Sequence, residues 1–406
     1  MQKFEKHSPV VVTEVTTKHE LRQFMQYPNR LYADNPNYIP SFYGDDLSDW
    51  TPGKNPAFDY CEARCWLARR DGEIVGRIGA ILSHKANDKF GTHRMRFSQV
   101  DFVDDSEVSA ALFGTVERWA REKGCDQVHG PLGFTDMDRE GMLVEGFDRR
   151  SLFFTNYNAP YYLEHLTRLG YRKDVDWIEY RITVPEPGGA EAERLHKLSE
   201  FILKRKHLHV ATVHHKSEYG PFVRQVFELV NAAYAPLYGV VELSDEQIER
   251  YANKFIPLVD PDFVCFVVDE QEKLVAFGVT ALDPSVALKH SDGRLFPFGW
   301  AGVLNDLHHS DTLIMLLTAV RPDLQAEGIN AVMMDHVCQS CNRHGVRFAE
   351  TGPMLELNDH ILAQWKRLEK EQHKRRRCFI KDLDHDVNAA NAAAAQTETP
   401  ETESAE

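Results

Sequence analysis

The sequence lacks three features that would each assign a class of protein. It has no apolar run near the roughly 20 residues that cross a bilayer, and no apolar core follows Met1 to His7 as in a secretory signal. It also lacks surplus basic charge, since 47 Lys and Arg face 62 Asp and Glu, a net charge of −15. Proteins that bind nucleic acid need such a surplus to hold phosphates. The sequence therefore predicts a cytoplasmic protein that binds no nucleic acid.

Cysteine is scarce and odd in number. Seven cysteines in 406 residues favour reduced thiols over a disulfide framework. The pair Cys338 and Cys341 has metal-like spacing, but it falls within a predicted helix and has no second pair nearby. We therefore predict no metal site.

The length of the chain predicts two compact domains. The Pro- and Gly-rich segment from Val184 to Ala190 separates two halves, each with antiparallel strands around a turn, at Asp71-Gly72 in the first half and at 269–273 in the second. We predict an N-terminal domain at 1–185, a linker at 186–192, a C-terminal domain at 193–382 and a disordered acidic tail at 383–406.

A strand, a short glycine-containing turn and a helix follow one another in the second half. The continuously apolar run from Leu313 to Val320 predicts a central strand covered on both faces, and Pro322 ends it. A helix with an apolar stripe follows from Ile329. The backbone N–H groups of 326–330 would then form a helix N-terminus that attracts phosphate. The alternative is an ordinary tight turn before a helix.

The turn Gln325-Ala-Glu-Gly328-Ile-Asn330 resembles the acyl-CoA binding loop of the GNAT acyltransferases, Gln/Arg-x-x-Gly-x-Gly/Ala. Here Asn330 stands in place of a small residue, and Glu327 is a carboxylate where a basic residue would suit a pyrophosphate. The whole chain resembles a bacterial family of two-domain GNAT-like proteins through Gly141–Asp148, Phe296–Trp300 and His373–Arg377, and is similar to bacterial ceramide synthases.

This resemblance implies an α/β fold of two tandem GNAT domains, each with a mixed sheet and flanking helices. It implies acyl-CoA as a cosubstrate, no permanently bound cofactor, and an amine as acceptor, with a long-chain acyl group and a sphingoid base as the sharper form. The first half has no Gln-x-x-Gly turn, so we expect the second to hold the donor. The competing hypothesis is a catalytically silent binding or regulatory protein with the same fold.

Candidate site residues follow from this reading. Backbone N–H groups near Ala319 and Val320 are predicted to meet the thioester carbonyl. Glu350 is the first candidate for general base, and the alternative is that it holds a loop. The remaining candidates are Asn358, which either orients a substrate or caps a helix; Tyr238 and His373, as proton donors or as packing residues; and Gln325, Ala326, Glu327, Gly328, Ile329, Asn330 and Arg375, which would bind the cosubstrate.

Three further segments leave alternatives open. The basic run Lys374–Arg377 could contact CoA phosphates, contact an anionic inner-membrane surface, or pair with Glu369 and Glu371. The aromatic segments Tyr32–Tyr43 and Phe296–Trp300 could line an apolar cleft or form a buried domain interface. The acidic stretch Thr135–Glu140 could receive an ammonium group or be a capped loop.

Overall fold

The computed structural model describes residues 8–383, so all of the predicted acidic tail except Leu383 lies outside the described residues. The described residues form one continuous sheet of 14 strands with helices packed against it. Among residues 8–383, no helix is both long enough and apolar enough to cross a membrane.

The first half contains seven strands and five α-helices. They are β1 (Val11–Glu14), α1 (Lys18–Leu31), α2 (Tyr43–Asp49), β2 (Cys61–Arg70), β3 (Glu73–Ser83), α3 (His84–Phe90), β4 (Arg94–Phe102), α4 (Ser106–Glu122), β5 (Gln127–Gly130), β6 (Met142–Glu145), α5 (Tyr162–Arg168) and β7 (Arg172–Thr183).

The second half contains seven strands and seven α-helices. They are α6 (Ala190–Lys206), β8 (His209–Val210), α7 (Gly220–Tyr234), α8 (Asp245–Phe255), β9 (Val264–Val268), β10 (Leu274–Leu282), α9 (Ser285–His290), α10 (Gly299–His309), β11 (Thr312–Val320), α11 (Asn330–His344), β12 (Phe348–Glu350), β13 (Met354–Leu355), α12 (Asp359–Ala363) and β14 (Lys370–Asp382).

The two halves repeat one arrangement, as the sequence predicts. In the first, β2, β3 and β4 pair antiparallel and β4 then pairs parallel with β5. In the second, β9, β10 and β11 pair antiparallel and β11 pairs parallel with β12. A crossover helix joins each parallel pair, α4 in the first half and α11 in the second. Local signals fix the helix ends: Asp105 caps α4 by accepting from the N–H groups of Glu107 and Val108.

The last strand of the chain crosses into the first half. The strand order is β1-β2-β3-β4-β5-β14-β7-β12-β11-β10-β9-β8, with β6 attached to β14 and β13 attached to β7. Strand β14 therefore lies between β5 and β7, and β7 pairs with β12 of the second half. The segment from His373 to Ile380 belongs to β14 and so lies in the middle of the sheet.

Candidate active site

The sheet opens where β11 and β12 separate. They pair only from Thr312–Phe348 to Ile314–Glu350, and β11 then continues alone to Val320. On its other side, β11 has a bulge against β10. Met315 pairs with Thr280 and Leu317 pairs with Val279, so Leu316 is an extra residue on β11 without a partner in the register. This opening exposes the backbone edge of the middle of β11.

The backbone direction of β11 corrects one predicted donor. Arg321 N–H donates to the carbonyl of Val275 on the β10 side at 2.8 Å. Because N–H groups alternate along a strand, that of Ala319 also faces β10, whereas those of Thr318 and Val320 face the opening. Of the two predicted donors, the N–H group of Val320 therefore faces the opening, whereas that of Ala319 faces β10.

The turn after β11 presents a row of backbone donors. Ala326 and Gly328 both take left-handed conformations, with φ of 63° and 84°. Within residues 8–383, the N–H groups of Ala326, Gly328, Ile329 and Asn330 donate to no acceptor. They stand at the N-terminus of the 15-residue helix α11, where the helix dipole adds positive potential. Gln325 fixes the turn to the strand by donating from Nε2 to the carbonyl of Val320 at 3.3 Å.

Glu327 is paired rather than free. Its carboxylate lies 2.7 Å from Nζ of Lys206 at the end of α6, and that hydrogen bond holds the pKa of Glu327 below its usual range. Arg205 is also exposed at this helix end. Lys206 and Arg205 were not predicted as site residues, although the basic run Lys204 to Lys206 marks the end of α6. They supply the positive charge that the turn itself lacks.

An apolar cavity of about 100 Å³ lies beside the opening. Its walls come from β11, α11 and the segment following α12, and include Met315, Leu317, Thr318, Met333, Val337 and Trp365. Asn330 borders it, so the cavity begins at the turn. Asn358 caps α12 by accepting from the N–H of Ile361 at 3.3 Å, as in the helix-cap alternative.

Glu350 lies inside an ion-pair network. Its Oε2 atom accepts from Nζ of Lys374 at 3.2 Å, and Lys374 also donates to Glu179 at 3.3 Å. His373 Nε2 is 3.8 Å from the same Glu350 oxygen, and burial lowers the pKa of His373 to about 4. A carboxylate held by a buried ammonium is poorly placed to collect a proton from a substrate. This location favours the alternative in which Glu350 has a structural role.

The basic run is built into the sheet. Arg375 pairs with Asp176 at 3.2 Å, Glu356 at 3.0 Å and Glu145 at 3.2 Å, so a phosphate would have to displace three carboxylates. This arrangement argues against the predicted role of Arg375 in binding CoA. The suggested pairing of the run with Glu369 and Glu371 is also absent among the described ion pairs.

Tyr238 occupies a buried cluster away from the turn. Its hydroxyl hydrogen-bonds to Asp174 at 2.5 Å, to His129 Nδ1 at 3.0 Å and to Cys378 Sγ at 3.5 Å. These three partners are also the one group in residues 8–383 whose ligand atoms lie close enough to hold a metal ion, within 4.8 Å of one another. The tyrosine already hydrogen-bonds to all three. Burial raises the pKa of its hydroxyl far above the usual range.

A different tyrosine reaches the opening. Tyr234, the last residue of α7, donates its hydroxyl to the carbonyl of Thr318 on β11 at 2.8 Å. Burial raises the pKa of Tyr234 to about 12, and the charge of Asp136 contributes in the same direction. The sequence offers two tyrosines four residues apart, and no local signal separates them.

The acidic stretch Thr135–Glu140 lies on this same side. Burial raises the pKa of Asp136 to about 6 and raises that of Glu140 well above its usual range. Asp138 accepts from the N–H groups of Phe134 at 2.8 Å and Thr135 at 3.2 Å, as in a capped loop. Asp136 accepts no hydrogen bond from another described residue, so its carboxylate is available to a cation.

Two smaller cavities, of about 60 Å³ each, meet at Phe255. The first, which we call the acidic cavity, is lined by four aspartates, two basic residues and several aromatic residues, among them Asp138, Lys254, Phe42 and Phe154. The second is lined by side chains of mainly apolar character, including Val223, Phe227, Val264, Val279 and Leu317. Leu317 connects it to the bulge on β11.

The two aromatic segments differ in how far they are buried. In the first, Tyr32 and Tyr38 are buried with ring centroids 5.2 Å apart, whereas Phe42 lines the acidic cavity. In the second, Phe296 and Phe298 are 81% and 80% exposed, so neither the cleft nor the buried interface predicted for Phe296–Trp300 is correct.

Comparisons with known proteins agree with this architecture. No protein-family model matches the chain. The chain is 27% identical over 379 residues to Protein YghO of Escherichia coli, covering 92% of this chain and 95% of that protein. It is 28% identical over 300 residues to the bacterial ceramide synthase of Caulobacter vibrioides, covering 72% of this chain and 75% of that protein.

Solved structures of similar fold include a tandem GNAT protein from the clavulanic acid biosynthesis pathway, with a TM-score of 0.53, 13% identity and coverage of 93% and 99% of the two chains. A GCN5-related N-acetyltransferase from Sphaerobacter thermophilus has a TM-score of 0.50 at 12% identity, covering 93% and 97%. The chain therefore has the tandem GNAT fold, as the resemblance in the sequence implied.

Proposed function

We propose that this protein transfers an acyl group from acyl-CoA to an amine. The observation that carries the proposal is the opening beside β11, where four unpaired N–H groups at a helix N-terminus lead into an apolar cavity along an exposed strand edge. The pyrophosphate of CoA would bind at residues 326–330, with Lys206 and Arg205 nearby. The pantetheine arm would follow the cavity, with its amides facing the backbone of Thr318 and Val320.

The reaction needs an electrophile held in place, a base and an acid. In this proposal a backbone N–H group on the open side of β11, beside the Leu316 bulge, polarises the thioester carbonyl. Asp136 takes a proton from the acceptor ammonium, because a carboxylate with a pKa of about 6 is ionised at neutral pH yet remains basic. The amine nitrogen bonds to the carbonyl carbon, the C–S bond breaks, and Tyr234 protonates the departing thiolate. The nitrogen then loses its second proton, which restores the Tyr234 hydroxyl and leaves the neutral amide.

We propose a long-chain acyl group and a lipid-like amine, such as a sphingoid base, as the substrates. Support comes from the mainly apolar cavity that begins at Leu317 and from the 28% identity to a bacterial ceramide synthase. The acidic stretch beside that cavity suits the ammonium group of such an acceptor. Acyl-CoA is made in the cytoplasm, so we place the reaction there, at the face of the inner membrane.

The test combines binding and turnover. Calorimetry with acetyl-CoA through palmitoyl-CoA, with free CoA as reference, should show tightest binding for the long chains. Release of free CoA thiol should then require a long-chain amine. Asp136→Asn and Tyr234→Phe should bind CoA as the wild type does, and each should lower turnover by a factor of roughly 10² or more.

Each outcome separates a different idea. Failure to bind any CoA would refute the donor site. Binding without turnover on any amine would favour the silent binding protein. Preference for acetyl-CoA would keep acyl transfer and overturn the long-chain substrate.

A further inference from the structure

The loop between α9 and α10 exposes large apolar side chains. Phe296, Phe298 and Trp300 are 81%, 80% and 48% exposed, and Leu304 on the next turn of α10 is 46% exposed. We refer to residues 294–300 as the aromatic loop. Single exposed apolar residues are ordinary, but three aromatic residues within five positions form an apolar surface that water solvates poorly.

The backbone of the aromatic loop is well fixed. Trp300 N–H donates to the carbonyl of Leu295 at 2.9 Å, and the indole Nε1 of Trp300 donates to the carbonyl of Pro297 at 3.2 Å. A Cβ atom added to Gly299 would lie 1.9 Å from the carbonyl oxygen of Arg294, so the chain approaches itself very closely there. The aromatic side chains are therefore held outward by an ordered loop.

The charge around the loop differs from that of the rest of the protein. Residues 285–310 contain two basic residues, Lys289 and Arg294, and two acidic ones, Asp292 and Asp306, a formal balance of zero in a chain of net charge −15. The carboxylate of Asp306 already accepts a hydrogen bond from the N–H of Ala287 at 2.7 Å. Three exposed histidines, His290, His308 and His309, lie in the same stretch. Residues 285–310 therefore add no net negative charge of their own that would repel an anionic bilayer.

The loop adjoins the acidic cavity. The carbonyl of Gly293, just before the loop, accepts from the N–H of Tyr43 at 3.0 Å, and a Cβ atom on Gly293 would lie 1.9 Å from the carbonyl of Ser41. Ser41 and Phe42 line the cavity that contains Asp138. The ring of Phe42 packs on Phe153 at 5.2 Å, beside Phe154. Apolar side chains thus extend from the loop to the opening in the sheet.

We infer that the aromatic loop docks the protein on a lipid bilayer, with Phe296, Phe298 and Trp300 at the level of the headgroups. Aromatic side chains are favoured at that depth. The protein then stands with its acidic cavity next to the membrane. That a lipid amine enters the cavity from the bilayer rests on the proposed function, whereas the docking itself does not.

The experiment measures cosedimentation of the full chain with vesicles of phosphatidylcholine alone and of phosphatidylcholine with phosphatidylglycerol at 3:1. The wild type should bind both, because the proposed contact is apolar. The double variant Phe296→Ser/Phe298→Ser should lose about tenfold in partitioning for each phenylalanine removed. Phe90→Ser, which removes a phenylalanine that is 42% exposed on α3, is the matched control and should bind as the wild type does.

Other results would overturn the inference. The inference is refuted if the wild type binds neither kind of vesicle. It is also refuted if the double variant binds vesicles as tightly as the wild type does. If sedimentation shows that the wild type is a dimer and the double variant a monomer, the loop is an interface between copies of this chain. Binding of free CoA, measured by calorimetry without vesicles, should be the same in all variants. Absence of CoA binding in the wild type would count against the proposed function and leave the docking result unaffected.

Discussion

The conformation of the turn after β11 gives a direct test of the cosubstrate site. Gly328 has φ of 84°, and an L-residue in the left-handed region costs roughly 1 to 2 kcal/mol. An added Cβ atom would also lie 3.0 Å from Cδ1 of Ile202, which is the movable end of a side chain and adds little. If binding requires this conformation, Gly328→Ala should raise the dissociation constant for CoA by about 5- to 30-fold.

Ala326 provides the opposite substitution in the same turn. It already has φ of 63°, so Ala326→Gly removes a similar backbone strain and stabilises the folded turn. Glycine also has more freedom in the unfolded chain, which offsets about 0.5 to 1 kcal/mol of that stabilisation. We expect its CoA affinity to equal or exceed that of the wild type, with a melting temperature within a few degrees. Calorimetry with free CoA and thermal unfolding measure both quantities. The reasoning fails if Gly328→Ala binds normally, or if Ala326→Gly weakens binding as much as Gly328→Ala does.

Three further predictions follow from charges on the same structure. Lys206→Ala should weaken CoA binding and reduce its dependence on salt, because Glu327 then faces the phosphates without its partner. Adding Glu327→Ala should restore part of the CoA affinity. An unchanged salt dependence in Lys206→Ala would argue against a role for Lys206. Turnover should rise with pH through about 6 as Asp136 ionises, and Asp136→Asn should abolish that limb of the profile; a limb that survives the substitution assigns it to another group. Burial lowers the pKa of both His129 and His373 to about 4, so the unfolded chain binds more protons between about pH 4 and 6.5, and stability should fall as the pH falls through that range, by about 2 kcal/mol for each histidine at pH 5. Urea unfolding at pH 7 and pH 5 measures this loss, and His373→Gln should reduce it.

Local patterns in the sequence were sufficient for the elements that carry the proposed donor site. The apolar run from Leu313 to Val320 and the glycine turn after it are short-range signals, and the structure has β11 and α11 where they indicate. The orientation of Ala319 was not accessible in this way, because it depends on which neighbour β11 pairs with at each residue.

Contacts between distant segments account for most of the site features that the sequence did not reveal. Lys206 meets Glu327 because α6 packs against α11, and Tyr234 rather than Tyr238 reaches β11 because of where α7 ends. Glu350 lies at the end of a strand, as expected. The ammonium group that pairs with it belongs to Lys374 on β14, 24 residues later in the chain. No periodicity within one segment reports such pairings.

The basic run Lys374–Arg377 shows how composition alone misleads. Lysine and arginine favour water, so four in succession suggest a ligand site or an exposed strand end. On β14 they alternate instead: Lys374 and Arg376 are 1% and 0% exposed, and both meet Glu179 on β7. Their neighbours Arg375 and Arg377 meet Asp176 on the same strand.

A one-residue slip of β14 would exchange the inward and outward sets, leaving Glu179 buried against the wrong side chains. Buried ion pairs contribute little net stability, but separating one leaves an uncompensated charge and costs several kcal/mol. The pairs therefore penalise a one-residue slip of β14. Because β7 ends the first half and β14 ends the second, the residues that resemble a phosphate site in the sequence select the strand register that joins the two halves into one sheet.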